Sequence, residues 1–117
     1  MKVLIVGLGL IGGSLAKALS TYTDAKVIGI DKDDKTLALA LDEEAIAYIG
    51  GEADLQDADV TILAMTPKNI IDFVKRNHGI MNKNGLVLDV CGVKRDIMAC
   101  FKEYFSVDGP QYIGMHP

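Results

Sequence analysis

A short apolar run, Val3 to Val6, leads directly into a loop with glycine at positions 7, 9 and 12, and the loop leads into an amphipathic stretch: KVLIVGLGLIGGSLAKAL, residues 2–19. This spacing reads as strand, tight turn and helix. The first glycine permits the turn, the second lets backbone approach an anion closely, and the third lets the helix pack tightly on the strand. A helix beginning here presents unpaired N–H groups and a partial positive charge to a phosphate. Gly7, Gly9, Leu10, Ile11 and Gly12 are therefore candidates for holding the pyrophosphate of a dinucleotide.

The pattern carries more weight when an acidic residue closes the next strand. KVIGID, residues 26–31, ends on Asp31, 19 positions beyond Gly12. A carboxylate there accepts hydrogen bonds from the adenosine ribose hydroxyls and repels a 2′-phosphate, so NAD is expected in preference to NADP. Lys32 beside it softens that repulsion and belongs to the same candidate site. The alternative for Asp31 is a turn or helix-cap residue, which the following DKDDK composition would also suit.

Further runs rich in Val, Ile and Leu recur at 45–50, 59–65, 85–90 and 111–115, and they are continuous rather than alternating. Such strands are buried on both faces, as in a parallel sheet. Between them, helical spacing predicts helices over 11–21, 33–41, 67–76 (with Pro67 in the first turn) and 94–105. The acidic stretches 31–34 and 42–44 read as solvated loops or helix starts. Alternating strand and helix predicts an α/β fold of Rossmann type, a doubly wound, mainly parallel six-stranded sheet of order 3-2-1-4-5-6 with helices on both faces. In that topology the carboxyl ends of the first and fourth strands flank a crevice, so Met65 and Thr66 are expected to line it; core filling and helix capping are their structural alternatives.

A length of 117 residues with 50% hydrophobic content supports one nucleotide-binding domain over 1–117. A net charge of −4 offers no basic face for nucleic acid. No apolar run reaches the length that spans a bilayer, and the glycine-rich start is unlike a cleaved leader, so a soluble cytoplasmic protein is expected. Cys91 and Cys100 lack the spacing of a disulfide framework or a zinc site, and no metal is expected.

Three pieces in order, GLGLIGGSLAKAL (7–19), DVCGVK (89–94) and YIGMHP (112–117), together resemble the nucleotide-binding half of the prephenate dehydrogenase family, which includes arogenate dehydrogenases. The resemblance implies an NAD- or NADP-dependent oxidative decarboxylation of prephenate to 4-hydroxyphenylpyruvate, or of arogenate to tyrosine, in tyrosine biosynthesis. It implies that His116 is the catalytic histidine, hydrogen-bonded to the substrate ring hydroxyl. Where the family commonly has a serine in the loop after the fifth strand, this chain has Gly92, preceded by Cys91; both are expected near the nicotinamide end of the cofactor. Asp89 and Lys94 match the family, with strand-end and helix-start roles as alternatives, whereas His78 matches no motif and is expected at a helix end.

The family also implies a second, α-helical domain that forms a homodimer and supplies much of the substrate pocket, and residues 1–117 contain none of it. The 117 residues alone are therefore expected to bind NAD weakly and to be inactive, with His116 exposed. A free-standing NAD-sensing module, like the ligand-binding domains that regulate potassium channels, would share the glycine loop and Asp31 but has no need of Gly-x-His-Pro. Hydroxyacid dehydrogenases and pyrroline carboxylate reductases share the loop but not DVCGVK or GMHP.

Overall fold

Four consecutive buried residues, Val3 to Val6, make β1 (Lys2–Val6) the central strand, and their side chains alternate between two separate cores. The structure, a computed structural model, describes residues 1–90, 95–105 and 108–114. Around β1 the described chain places α1 (Leu10–Tyr22), β2 (Lys26–Ile30), α2 (Asp34–Asp42), β3 (Tyr48–Ile49), α3 (Glu52–Asp57), β4 (Val60–Leu63), α4 (Pro67–Asn77), β5 (Leu86–Asp89), α5 (Arg95–Phe105) and β6 (Gln111–Gly114). The six strands form one parallel sheet in the order β3-β2-β1-β4-β5-β6. This is the doubly wound order expected from the sequence, and it reverses direction between β1 and β4, where such sheets bind ligands.

Leu4 and Val6 point into the core shared with Ile70, Phe73 and Val74 of α4 and Ile97, Phe101 and Phe105 of α5. Val3 and Ile5 point the other way, into the core shared with Ala16 of α1 and with Leu37 and Ala40 of α2. The period of two along a strand thus distributes one apolar run over two layers of helices. Phe101, fully buried, sets its ring 5.1 Å from that of Tyr112 on β6 and 5.4 Å from that of Phe105. Cys100 belongs to the same core, and burial pushes its thiol up, which suits packing rather than reactivity.

The third strand is much shorter than the expected 45–50. Ala45 and Ile46 are buried, but their N–H groups bond to the Ala40 carbonyl at the end of α2, at 2.9 and 3.4 Å; Tyr48 and Ile49 stand in register with β2, and the flanking Ala47 and Gly50 N–H groups bond to the Val27 and Gly29 carbonyls, each at 2.7 Å. Glu44, at φ 58°, makes the bend that allows this return. The acidic run 42–44 accordingly lies at the end of α2, not at a helix start, whereas Asp33 caps α2 by accepting from Lys35 N at 3.2 Å. The short helix α3 has no counterpart in the sequence reading.

Asp54 explains why α3 forms. Its Oδ2 accepts from the Gly51 N–H at 2.7 Å, while its own N–H returns to the Gly51 carbonyl, closing the first turn. Its Oδ1 accepts from the Tyr48 hydroxyl at 2.7 Å and lies 2.8 Å from Lys2 Nζ, which also meets Asp57. Burial pushes the Asp54 carboxyl up, but the hydrogen bonds from Lys2, Tyr48 and Gly51 outweigh it and lower the group to about 2. The Lys2 ammonium is raised, first by Asp54 and then by Asp57. This cluster ties β1, β3 and α3 together at the amino ends of the strands, opposite the crevice.

Candidate functional site

At the carboxyl ends of β1, β2 and β4 lies a cleft of about 1230 Å³, large enough for an extended nucleotide. Its lining brings together Gly7, Gly9, Leu10, Ile11, Asp31 and Lys32 from the first two strand ends, and Met65 and Thr66 from the fourth. Gly12 stands behind the loop, buried where α1 meets the sheet. Cys91, Gly92 and His116 lie outside the described residues.

The three glycines of the loop are required for different reasons. Gly7 has φ 96°, and a Cβ there would come 2.4 Å from the Ala64 carbonyl oxygen. A Cβ on Gly12 would come 1.8 Å from the Gly7 carbonyl oxygen. Both positions exclude any larger residue on account of the fold itself. Gly9 differs: a Cβ would meet nothing within 4 Å among the described residues, and its φ of −69° suits any residue. Gly9 is the N-cap of α1, so this open position directly precedes the first turn of that helix, which no side-chain bond at the cap closes.

Asp31 is not the cap of α2, since Asp33 holds that position. Its Oδ2 instead accepts from the Leu8 N–H at 2.7 Å, and its Oδ1 accepts from Asp33 N at 2.9 Å. The first bond fastens the glycine loop to the end of β2. The second is the turn role foreseen as an alternative, so Asp31 serves the turn and the cleft together. Each carboxylate oxygen keeps a further lone pair for a ribose hydroxyl.

Thr66 occupies the cap position of α4, but its hydroxyl makes no capping bond, and Ile70 N bonds to its backbone carbonyl instead. Thr66 is exposed and lines the cleft. Met65 is half-buried, packed against the α4–α5 core while lining the cleft, so both readings of it hold. His78 is the C-terminal cap of α4, 4.7 Å from the Tyr104 ring, and is not among the residues that line the cleft.

One wall was missing from the sequence reading. Asn69, Asp72, Phe73 and Arg76 of α4 also line the cleft, at the i, i+3, i+4, i+7 positions of one helix face. The polarity of Asn69, Asp72 and Arg76 resembled that of an ordinary solvent face, and Phe73 that of a core position; only the topology, which swings α4 across from the end of β2, shows what that face borders. Among the described residues no helix is long and apolar enough to cross a membrane, and no acidic, histidine or cysteine cluster could hold a metal ion.

Comparison with known proteins agrees with this geometry. The family model for the prephenate dehydrogenase nucleotide-binding domain matches residues 15–117. A prephenate dehydrogenase of Lactococcus lactis subsp. cremoris is 28% identical over 99% of this chain and 33% of its own length. The crystal structure of prephenate dehydrogenase from A. aeolicus in complex with hydroxyphenyl propionate and NAD+ superposes with a TM-score of 0.86 at 26% identity, covering 100% of this chain and 41% of that one. Synechocystis arogenate dehydrogenase superposes with a TM-score of 0.88 at 29% identity, covering 100% and 41%. This chain spans about a third of the length of the relatives it matches. With the glycine loop, the strand order and the match over 15–117 in agreement, the chain belongs to the family of prephenate dehydrogenase nucleotide-binding domains.

Proposed function

We propose that this chain is the NAD-binding part of a prephenate dehydrogenase, an enzyme that oxidatively decarboxylates prephenate to 4-hydroxyphenylpyruvate. The observation that carries the cofactor reading is Gly9, whose missing side chain leaves space that no described residue fills, directly before the uncapped start of α1. A pyrophosphate suits that space by size and charge. Gly7 and Gly12 shape the loop, Leu10 and Ile11 open the helix beside it, and Asp31 accepts from the adenosine ribose, favouring NAD over NADP. Lys32 borders the same ribose, Met65 and Thr66 flank the middle of the dinucleotide, and Cys91 and Gly92 border its nicotinamide.

NAD, when bound, supplies the acceptor for hydride from the substrate ring. His116 is assigned to the proton that must leave at the same time. As the ring carbon is oxidised its hydroxyl becomes acidic, and a neutral imidazole accepts the proton. Breaking the bond to the carboxylate then releases carbon dioxide and leaves an aromatic ring. Gly92 has no hydroxyl to donate where the family commonly has serine, so His116 acts without that partner.

The substrate pocket belongs to the length that the relatives have beyond the matched region, and a dianion such as prephenate needs cationic partners there. The 117 residues alone are therefore expected to bind NAD without turning over prephenate, and the whole enzyme is expected to be a homodimer. Arogenate is the second substrate reading, favoured by the match to the Synechocystis enzyme. Calorimetric titration of the chain with NAD and with NADP tests the cofactor assignment. Tighter binding of NAD is expected, and equal affinities would overturn that preference. Production of reduced cofactor by the chain mixed with NAD and prephenate would overturn the inactivity of the isolated domain.

A further inference from the structure

Asp72 and Arg76 of α4 stand four residues apart with the acid first, the arrangement that most favours an ion pair along a helix. They do not form one: among the described residues Arg76 is in no ion pair, and its Nε donates instead to the Asp72 backbone carbonyl at 3.3 Å. That bond secures one edge of the guanidinium, and among the described residues the two terminal nitrogens have no acceptor. Arg76 is exposed and lines the cleft, with Phe73 one turn behind it on the same face. Lys32, likewise without an ion pair, lines the cleft from the end of β2.

A dinucleotide whose pyrophosphate lies at Gly9 and whose ribose lies at Asp31 has its adenine beyond Asp31, between Lys32 and α4. A purine is a flat π-system, and a planar guanidinium without a carboxylate partner stacks on such a face. We infer that Arg76 is a binding residue for the cofactor, covering one face of the adenine from α4. The inference rests on the dinucleotide reading given above. It accounts for an arginine that, four residues beyond Asp72, bonds to the Asp72 backbone carbonyl and not to its carboxylate.

The test is calorimetric titration of the parent chain, Arg76→Leu and Arg76→Lys with NAD and with NADP. The adenine is common to both nucleotides, so Arg76→Leu is expected to weaken both by a similar factor, about three- to ten-fold. Arg76→Lys, which keeps a cation but not the planar group, is expected to recover part of the loss. An unchanged thermal midpoint in both variants separates this effect from loss of the helix, and Arg76→Gln serves if the leucine variant does not fold. Parent-like binding of both nucleotides by Arg76→Leu would overturn the inference and leave the dinucleotide reading intact. So would a loss confined to NADP, which would instead mark a contact with the 2′-phosphate. A parent chain that binds neither nucleotide would overturn both readings.

Discussion

The carboxylate of Asp31 accepts the backbone N–H of Leu8 at 2.7 Å, so the residue assigned to the ribose also holds the loop assigned to the pyrophosphate. Two parts of the proposed ligand site are thereby mechanically joined. A change at Asp31 acts on both.

Asp31→Asn is expected to lower NAD affinity by about ten-fold or more, because it removes a charged acceptor from the ribose and weakens the anchor of the loop. The preference for NAD over NADP should narrow with it, since the repulsion of a 2′-phosphate disappears. Calorimetric titration with both nucleotides checks this, and an unchanged ratio of affinities would contradict the assignment.

Gly9 and Gly12 are expected to separate binding from folding. Gly9→Val adds a side chain to open space and should change stability by no more than about 1 kcal/mol while abolishing detectable NAD binding. Gly12→Ala drives a methyl group into the Gly7 carbonyl and should prevent the native fold or cost several kcal/mol, roughly the upper range for point substitutions. Urea denaturation followed by circular dichroism, with titration of the folded variant, distinguishes the two.

The Lys2–Asp54–Tyr48 cluster predicts an acid-sensitive share of stability. Asp54 is held at about 2 in the folded chain, below its ordinary value of 3.8, so its contribution is fully present above about pH 4 and is lost as the pH falls toward 2. The corresponding energy is at most about 2 kcal/mol. Lys2 is raised, so its share is present throughout the neutral range and is lost only at strongly alkaline pH. Urea midpoints of the parent and Asp54→Asn should differ at pH 7 and converge near pH 2; a constant difference would contradict the role given to the carboxylate.

Phe101→Ala should cost about 3–5 kcal/mol, because the ring is fully buried between α5 and β6 and its neighbours Phe105 and Tyr112 cannot close the space. A loss below about 1 kcal/mol in urea denaturation would mean that β6 is not packed as described.

Much of this architecture could be read from residues whose roles are local. Gly7 and Gly12 are demanded by contacts within the chain itself, and the alternate burial of Val3 to Val6 needs only a parallel sheet with helices on both faces. Pro67 likewise announced the start of α4. The third strand and α3 were obscured because their structure depends on tertiary partners: Tyr48 pairs over only two residues, and the six residues of α3 are too few to show periodicity and are started by Asp54. The α4 wall of the cleft escaped for a similar reason, since Asn69, Asp72 and Arg76 gain meaning only from what the sheet places opposite them. Cys91, Gly92 and His116 lie outside the described residues, so their roles rest on family resemblance.

The alternation along β1 makes the sheet a partition. Side chains such as Ala16 on one side and Phe101 on the other belong to different apolar clusters, which among the described residues have no buried member in common. Substitutions in the two compartments should therefore add in their effects on stability, as independent sites do. Selection can then retune most of the α4–α5 layer without disturbing the packing of α1, and Met65, which packs on that layer beside Gly7, is where the two sides meet.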